Sequence, residues 1–513
     1  MPTVTSLPRE VDVLVVGYGP VGAAIAGLLG RYGVRTLVVD KSPGIFMAPR
    51  AIALDNEALR ILQMVGLGED AFARVVIPCV RMHCPHVGEF GRINTAGTID
   101  CHPKLVTFYQ PELERALRAN AERHLSVSAR TGVELVRFAD EGDGVTAVLR
   151  TSAGDESVVR TRYLVGADGA SSAVRGAIGQ KFDGESYAQD WLIVDALGVP
   201  SSFDHVEFLC DPERPTPHMV APGGRTRWEF MLKPGEEREQ METDAKIAEL
   251  LRPWVKVEDL RIERKAVYRF HARVCRCFGK GRVFLAGDAA HLTPPFAGQG
   301  LVAGLRDAAN LAWKLAWVVR RRASPTVLDT YDEERRPHAV KMIRLAKFLG
   351  QMVMPRSHLK AILVHGSMAM LRRLPAMRAF FDELGIKPKN AFGKGLFVPG
   401  GDHVLRGAWL PQAIVRTADG YVGPSDEALG PELALLGLGL DANQYLSDRS
   451  RRRWSRAGGR TVQILEGDIV TCAAPHEWCL VVRPDRTVLQ DGPVQEAERV
   501  VRESLRLLGT PAA

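Results

Sequence analysis

The sequence has little that would support a metal centre, a redox disulfide or a membrane span. None of its eight cysteines shows paired metal-ligand spacing: Cys275 and Cys277 are too close for a zinc knuckle, and Cys472 and Cys479 stand apart from any histidine cluster. No Cys-x-x-Cys pair occurs, and no apolar run reaches the ~18 residues that a transmembrane helix needs. The cysteines are therefore predicted to be structural thiols in a reducing compartment, with no bound metal.

The charge pattern argues against nucleic acid and membrane partners. The formal net charge is +7 and the sequence pI is about 9.0, but the arginine runs at 320–322 and 451–453 are short and lack interleaved stacking aromatics. Residues 1–10 also lack the apolar core of a signal peptide, so a cytoplasmic location is the default expectation. We assign the positive charge to the attraction of small anions such as NAD(P)H and aromatic carboxylates.

A dinucleotide-binding unit is indicated near the N-terminus. The β-branched run Val11–Val16 predicts a buried parallel strand, and the glycine motif 17–22, an apolar helix and a second strand ending at Asp40 follow it. Gly17 permits the tight turn, Gly19 lets the backbone approach a pyrophosphate, and Gly22 lets the helix pack on the strand. Asp40 is placed to accept ribose hydroxyls, and Pro20, Val21 and Lys41 complete this predicted cofactor site.

A second motif, at residues 287–300, follows a predicted strand and opens a helix. It contains Asp288, His291, Pro294, Pro295 and the glycines at 298 and 300. Here the chain resembles the class A flavoprotein aromatic hydroxylases. The resemblance implies that Asp288 binds the FAD ribityl chain and that the Pro-Pro segment lines the isoalloxazine ring. Gly298, Gly300 and Leu301 then belong to the cofactor site, where the helix N-terminus would stabilise an anionic reduced flavin.

Three further positions match the same family. Asp168, in the Gly-Ala-Asp-Gly segment 166–169, is implied with Arg175 in pyrophosphate binding, although Asp168 could equally cap the following helix. Arg50 and Gln110 match positions that contact the ribityl and pyrophosphate region. The segment 306–315 also matches a family signature, but its apolar spacing is that of a packed helix, and we interpret it as structural.

The resemblance is closest to the branch that hydroxylates 3-(3-hydroxyphenyl)propionate and 3-hydroxycinnamate, on the segments 227–236 and 182–184. It implies FAD, NADH or NADPH as electron donor, and O₂, with hydroxylation of a small phenolic substrate through a flavin C4a-hydroperoxide. No second Gly-x-Gly-x-x-Gly unit occurs, so the nicotinamide donor is expected to have no Rossmann domain of its own, and the choice of donor stays open.

The acid–base and substrate residues are less defined. His291, His218, His271 and Tyr268 are candidates by position for a base that deprotonates the phenol, and the sequence does not choose among them. Arg225 or Arg227 could bind a substrate carboxylate through two hydrogen bonds. Pro294 and Pro295 are counted with His291 as catalytic positions, and His218, Arg225, Trp228 and Tyr268 as substrate contacts.

The predicted fold is α/β: a Rossmann-like FAD-binding domain (1–180 and 280–345) interleaved with a β-sheet substrate domain (181–279). A helical region and linker (346–395) and a thioredoxin-like C-terminal α/β domain (396–513) follow. The segment Val481–Arg486 resembles the Arg-Pro-Asp strand of that last domain, and without a Cys-x-x-Cys pair it is interpreted as a packing or oligomerisation module. A homodimer or higher homo-oligomer is expected from the family.

Three alternatives were weighed. A flavin-dependent halogenase is disfavoured because no Trp-x-Trp-x-Ile motif occurs. A hydroxylase or epoxidase of polycyclic natural products would share every FAD motif and stays open. A non-catalytic protein on the same fold would have no need for Asp288 and the Pro294-Pro295 loop.

Overall fold

A computed structural model describes residues 7–48, 50–199, 204–255, 260–355, 357–382, 387–400, 406–467, 469 and 477–509. Three large sheets organise these residues, and we number strands and helices in chain order. No described helix combines the length and the apolarity needed to cross a membrane. The seven described cysteines are all free thiols; Cys472 lies outside the described residues.

The first sheet has eight strands and a parallel centre. Its order is β10-β2-β1-β13-β12-β11, with β20 paired to β13 and β19 paired to β20. Its strands are β1 (Glu10–Val16), β2 (Thr36–Asp40), β10 (Val127–Thr131), β11 (Val133–Asp140), β12 (Val145–Thr151), β13 (Glu156–Gly166), β19 (Gly279–Lys280) and β20 (Val283–Leu285). Strands β10, β2, β1, β13 and β20 are parallel, so their carboxyl ends share one edge of the sheet.

Helices cover this sheet because their apolar faces pack on its β-branched strands. They are α1 (Pro20–Arg31), α2 (Asn56–Val65), α3 (Gln110–Glu122), the short α4 (Ala173–Ala177) and the long α7 (Gln299–Val319). Asp55 caps α2, its Oδ1 accepting the N–H of Ala58 at 2.9 Å. Residues 53–55, directly before α2, form a strand because they pair with residues 105–107.

The second sheet also has eight strands, and its order is β21-β18-β14-β17-β16-β15-β5-β6. They are β5 (Cys79–Cys84), β6 (Gly88–Asn94), β14 (Phe182–Leu197), β15 (Val206–Leu209), β16 (Thr216–Ala221), β17 (Arg225–Met231), β18 (Arg261–Cys275) and β21 (His291–Leu292). All its pairings are antiparallel except that of β15 with β5. The sequence predicted this sheet within residues 181–279, and residues 79–94 and 291–292 also contribute strands to it. The predicted domain ranges stay predictions.

Small strands and helices fill the space between and beside these two sheets. The strands are β3 (Ala53–Asp55), β4 (Arg74–Val76), β7 (Thr98–Ile99), β8 (His102–Pro103) and β9 (Leu105–Phe108). The helices are α5 (Arg238–Met241), α6 (Asp244–Leu251), α8 (Thr330–Val353), α9 (His358–Leu371) and α10 (Pro375–Asp382).

The third sheet has six strands, order β23-β22-β25-β24-β26-β27, near the C-terminus. Its strands are β22 (Ile414–Thr417), β23 (Val422–Pro424), β24 (Leu433–Leu438), β25 (Gly459–Gly467), β26 (Trp478–Val482) and β27 (Val488–Pro493). The helices are α11 (Ser425–Leu429), α12 (Asp448–Arg456) and α13 (Ala497–Leu507). This is the α/β unit predicted for the C-terminal residues.

Buried ion pairs tie the third sheet to the rest of the chain. Arg483 donates to both carboxylate oxygens of Glu334 on α8, at 2.7 and 2.9 Å, and Lys314 on α7 donates to the same carboxylate at 2.7 Å. Arg60 on α2 forms a two-pronged pair with Asp426 on α11, both bonds 2.8 Å. Arg483 of the Arg-Pro-Asp segment thus connects the third sheet to α8.

Candidate active site

A continuous cavity of about 1110 Å³ runs from the carboxyl ends of β1 and β2 to one face of the second sheet. Ligands of open α/β sheets bind at this edge. Most of the residues predicted from the sequence line it: Gly17, Gly19, Pro20, Val21, Asp40, Lys41, Arg50, Gln110, Asp168, Tyr268, His271, Asp288, Pro295, Gly298, Gly300 and Leu301.

The three glycines after β1 have three different surroundings. Gly17 has φ +101°, and a side chain there would overlap the carbonyl of Ala167. A Cβ on Gly22 would overlap the carbonyl oxygen of Gly17, so Gly22 permits the close packing of the turn although it does not line the cavity. A Cβ on Gly19 would meet no protein atom within 4 Å. The open space above Gly19 is where a phosphate group could approach the backbone.

The start of α1 and the end of β2 face the same part of the cavity. Gly19 is the N-cap of α1 and Pro20 occupies its first turn, so the free N–H groups of that turn carry a partial positive charge. The carboxylate of Asp40 accepts the N–H of Tyr18 at 2.7 Å and that of Ser42 at 2.8 Å. These bonds fix Asp40 at the cavity edge, where it keeps lone pairs for hydroxyl donors.

Gln110 and Arg50 form one unit on the opposite wall. Gln110, the first residue of α3, accepts the N–H groups of Arg50 at 3.2 Å and Ala51 at 3.0 Å through its Oε1. The Arg50 guanidinium lies 5.5 Å from the ring centroid of Tyr268. Gln110 therefore positions the backbone of the Arg50 loop, and Arg50 links the cofactor end of the cavity to the substrate end.

Asp288 lies on a single 3₁₀ turn, Gly287–Ala289, directly after β20. Among the described residues its carboxyl group has no hydrogen-bond or ion-pair partner, yet it lines the cavity. Burial raises the pKa of Asp288, while Arg50 and His291 act in the opposite direction. A desolvated carboxyl group without a partner is costly, so this position fits a ligand that brings hydroxyl donors.

His291 is fully buried and does not line the cavity. Its Nε2 lies 2.7 Å from Asp307 Oδ2, which also accepts the N–H of Gly287 at 3.0 Å, while Arg335 donates to Asp307 Oδ1 at 2.9 Å. The sequence placed His291 among the catalytic positions. β21 pairs with β18, and the ring of His291 bonds to Asp307 on α7, so His291 connects α7 to the segment that carries Asp288. Its catalytic role stays a prediction. Pro294 is not on the cavity wall either, whereas Pro295 is.

Asp168 caps a helix. It accepts the Ser172 hydroxyl at 2.5 Å and the N–H groups of Ala173 and Val174 at 2.8 and 3.2 Å, at the start of α4. Arg175 donates to the carbonyls of Ala289 and Ala170 at 3.2 and 2.8 Å. Asp168 lines the cavity but Arg175 does not, so the capping alternative describes the observed bonds of Asp168.

The substrate end of the cavity is mostly apolar. Phe270 and Phe296 line it. Their rings contact each other and the buried ring of Trp191, with centroids 5.4 to 5.9 Å apart. The aliphatic side chains on its wall come from strands of the second sheet and from α8: Val80, Met82, Ile93, Ile193, Val206, Met219, Leu345 and Leu349. Such a wall excludes water and fits a planar aromatic ligand.

Two predicted substrate-side residues, Tyr268 and His271, face this space. His271 Nδ1 lies 2.8 Å from the hydroxyl of Ser186. Burial, together with Arg273 and Arg269, lowers the pKa of His271 and favours its neutral form. Both residues thus remain candidates for substrate contact.

Three other predicted substrate residues are directed elsewhere. His218 and Trp228 are register partners on β16 and β17, and their side chains point to the face opposite the cavity. The Trp228 indole is packed in an apolar cluster with Phe230 and Val194. Because alternate residues of a strand face opposite sides of a sheet, neither side chain lines the cavity, and their contact with substrate stays a prediction.

Arg225 is also excluded from the cavity wall. It makes a two-pronged ion pair with Glu263, at 2.6 and 2.9 Å, and stacks 4.0 Å from the ring centroid of Tyr109. The other arginine considered, Arg227, is buried and paired with Asp195 at 2.6 and 2.9 Å. Both guanidinium groups are thus paired with carboxylates and neither lines the cavity, and a carboxylate-binding role for either stays a prediction.

Two features of the cavity wall were not found from the sequence. Glu229, on β17 between Trp228 and Phe230, presents a buried carboxyl group to the substrate end. Lys387, in the predicted linker, donates to Asp55 at 2.8 Å and lies 2.9 Å from Glu57. Glu229 could have been predicted from the alternation along β17 if the face that lines the cavity had been known. The position of Lys387 depends on contacts with residues that are distant in sequence.

FAD fits these residues. Gly19 at the N-terminus of α1, Asp40 and Asp288 all line this cavity, and they suit the pyrophosphate, the adenosine ribose and the ribityl chain of FAD, respectively. The N-cap of α7, Gly298, has φ +63° and adjoins the aromatic end. An extended dinucleotide, with its flavin ring at the apolar end of the cavity, matches this arrangement of residues.

Comparison with known proteins agrees with this geometry. Residues 10–346 match the model of the FAD binding domain family, and residues 407–475 match the HcaD C-terminal domain. The chain therefore belongs to the FAD binding domain family. Within it, the chain is an FAD-dependent aromatic-ring monooxygenase, for which NAD(P)H and O₂ are the usual partners.

The similar curated proteins share the full length of the chain. It is 37% identical to the 3-(3-hydroxy-phenyl)propionate/3-hydroxycinnamic acid hydroxylase of Burkholderia cenocepacia, over 94% of this chain and 93% of that protein. It is 30% identical to the Comamonas testosteroni protein of the same name, over 98% of each. The resemblance stated from the motifs is confirmed.

Solved structures share the fold. The flavin-dependent monooxygenase PieE, crystallised with FAD and substrate, superposes with a TM-score of 0.84 at 21% identity, covering 99% of this chain and 100% of that one. Aklavinone-11 hydroxylase, crystallised with FAD and aklavinone, superposes with a TM-score of 0.78 at 25% identity, covering 98% of this chain and 100% of that one. The predicted fold class is confirmed.

Proposed function

We propose that the chain hydroxylates the ring of a 3-hydroxyphenyl carboxylic acid of the 3-(3-hydroxyphenyl)propionate or 3-hydroxycinnamate type. The observation that carries the proposal is the full-length similarity to hydroxylases of that name, at 30 to 38% identity. The cavity supports it, because its substrate end has aromatic and aliphatic walls suited to a single substituted ring.

The cofactor residues are proposed as a set. The N-terminus of α1 with Gly19 would hold the pyrophosphate, Asp40 the ribose, and Asp288 the ribityl chain, while Pro295, Gly298 and the first turn of α7 would adjoin the flavin ring. When bound, FAD supplies hydride acceptance from NAD(P)H and activation of O₂ for insertion of one oxygen atom into the ring.

The chain's own contribution is positioning and exclusion of water. The apolar walls desolvate the aromatic ring, and the α7 N-terminus provides a positive potential beside the proposed flavin position. Tyr268, His271 and Glu229 offer polar atoms within a mostly apolar end. A cytoplasmic location and a homodimer or higher homo-oligomer remain part of this proposal as sequence-based expectations.

The test is turnover of the FAD-loaded protein with NADH and NADPH against a panel of phenols, with product and hydrogen peroxide both quantified. We expect 3-(3-hydroxyphenyl)propionate or 3-hydroxycinnamate to accelerate NAD(P)H oxidation and to yield a dihydroxy product in near-equal amount. Acceleration with peroxide alone, for every hydroxyphenyl acid tested, would contradict the proposal.

A second candidate is hydroxylation of a polycyclic phenol. Its support is that the structures of an anhydrotetracycline hydroxylase and of aklavinone-11 hydroxylase superpose over 98% of this chain. The panel therefore includes a tetracyclic phenol. Product from the tetracycle and none from the single-ring acids would favour this candidate.

A further inference from the structure

We propose that Glu229 accepts the hydrogen bond of the substrate's phenolic hydroxyl and then takes its proton as the ring is hydroxylated. The inference rests on the proposed function for the phenolic nature of the substrate. It assigns the acid–base role to a carboxyl group on the floor of the substrate cavity.

Strand parity places Glu229 there. On β17, Trp228 and Phe230 point into the apolar cluster on one face of the sheet, so Glu229 between them points to the other face. Its register partner on β14 is Ile193, which also lines the cavity. The position is thus set by the central strands of the sheet and not by a loop.

The carboxyl group of Glu229 has no partner within the protein. It is only 8% exposed, and among the described residues it makes no hydrogen bond and no ion pair. A desolvated carboxylate without a donor is unfavourable by several kcal/mol or more. The exposed remainder faces the cavity, so the missing donor is expected to come from the ligand.

The neighbouring charges do not neutralise Glu229 directly. Asp195 on β14 forms ion pairs with both nearby arginines: Arg227 donates to it at 2.6 and 2.9 Å, and Arg264 donates to it at 3.3 Å. Burial raises the pKa of Glu229, and Asp195 adds to this effect, while Arg227 and Arg264 oppose it. Tyr268 on β18 also lines the cavity, and the guanidinium groups of Arg50 and Arg264 lie over its ring.

A phenol supplies what this site lacks. Its O–H donates one hydrogen bond, and it carries no negative charge at neutral pH, whereas a substrate carboxylate would be repelled by the ionised Glu229. The acid tail is therefore directed away from β17, and the hydroxyl toward it. This orientation selects hydroxyphenyl acids from acids that lack the hydroxyl.

The proton step balances simply. The phenol O–H bond breaks, its proton bonds to a carboxylate oxygen of Glu229, and the electron pair stays on the phenol oxygen. That pair raises the electron density at the ring carbons ortho and para to the oxygen, which are the carbons that an electrophilic oxygen attacks. A base whose pKa is raised toward that of its partner takes a proton more effectively than an ordinary carboxylate.

The test compares each phenol with its methyl ether, which keeps the ring and loses the donor. Binding to the FAD-loaded protein is followed through the flavin absorbance, so no turnover is needed. We expect the wild-type protein to bind the phenol about 10- to 100-fold more tightly than the ether. Glu229→Gln should remove most of this preference and lower hydroxylation about 100-fold or more, while NAD(P)H still reduces the flavin.

Two further variants keep the test decisive. Glu229→Asp retains the carboxyl group and should restore part of the preference; it also carries the test if Glu229→Gln fails to bind FAD. The matched control is Glu263→Gln, which should behave as wild type. The carboxyl group of Glu263 is on β18, and it pairs with Arg225 outside the cavity. The preference for the phenol should also fall as the pH is lowered and Glu229 becomes protonated.

The outcomes separate this proposal from the proposed function. If the wild type hydroxylates a different class of phenol, the substrate assignment fails, but Glu229 is still tested on that phenol and its ether. If Glu229→Gln keeps both the phenol preference and the hydroxylation rate, Glu229 has no such role, whatever the substrate is.

Discussion

Nε2 of His291 lies 2.7 Å from Oδ2 of Asp307, and both side chains are fully buried. Asp307 sits inside α7 and also holds the N–H of Gly287, which begins the turn that carries Asp288. The pair therefore connects the long helix to the proposed ribityl contact. We therefore propose that His291 positions the Asp288 turn.

Replacing His291 tests that role. We expect His291→Asn to lower the free energy of unfolding by about 1–3 kcal/mol, because Asp307 loses a buried hydrogen-bond partner. FAD affinity should fall with it, whereas the pH profile of hydroxylation by the FAD-saturated variant should keep the wild-type shape. Denaturant unfolding and pH–rate profiles measure the two effects. Disappearance of one limb of the profile in His291→Asn would show instead that the imidazole titrates during catalysis.

The glycine motif gives a paired prediction. Gly19 has φ −69° and open space at its Cβ position, so Gly19→Ala should fold normally and clash only with the cofactor. Gly22→Ala would place a methyl group on the carbonyl oxygen of Gly17 and should disturb the turn itself. We expect an FAD Kd at least about tenfold weaker for Gly19→Ala with an unchanged Tm of the apoprotein, and a lowered apoprotein Tm for Gly22→Ala. Equal Tm values for the two variants would contradict this distinction.

The attachment of the third sheet depends on Glu334. Its carboxylate accepts bonds from Arg483 and Lys314, and all three side chains are buried. Glu334→Gln removes the ion-pair partner of buried Lys314 and leaves Arg483 paired with Asp485 alone, which should cost about 3–5 kcal/mol. The adjacent Glu333 makes a partly exposed pair with Lys394, and Glu333→Gln should cost less than about 1 kcal/mol. Denaturant unfolding of both variants measures the contrast, and similar losses would mean that the buried cluster is not the main attachment.

Acid should destabilise the protein through carboxylates that are paired in the folded state. Burial alone would raise the pKa of Glu57, but Arg306 and Lys387 outweigh it and lower that pKa to about 2. The unfolded chain, with an ordinary pKa of about 4.3, then binds the proton more readily. The stabilisation is complete above that ordinary value and is lost as the pH falls from there toward 2.

A series of denaturant unfolding curves at decreasing pH checks this. We expect the free energy of unfolding to fall below about pH 5, and the fall to be shallower in Glu57→Gln, which removes the titrating group. If the free energy of unfolding fell equally steeply with pH in the variant and the wild type, Glu57 would not contribute to the acid sensitivity.

How far the sequence predicts the site depends on the range of the interactions involved. Gly17, Gly19 and Asp40 could be placed because the motif is local: one strand, one turn and one helix fix all three. Asp288 and Gly298 could be placed by the family resemblance.

The substrate side was harder to predict because one residue of strand register decides which side chains face the cavity. Trp228 and His218 were chosen as contacts, yet the neighbouring Glu229, Pro217 and Met219 face it. Likewise, the partner of His291 is set by the packing of α7 across the chain, and Lys387 reaches Asp55 from a distant segment. No local pattern in the sequence marks either contact.

The most direct test of the central claim is the fate of molecular oxygen. The FAD-loaded protein is supplied with NAD(P)H, ¹⁸O₂ and 3-(3-hydroxyphenyl)propionate, and the product is analysed by mass spectrometry. The account predicts a dihydroxyphenyl product that contains one ¹⁸O atom, formed in proportion to the NAD(P)H oxidised. NAD(P)H oxidation that yields only labelled peroxide, with the phenol and the other panel members unchanged, would contradict it.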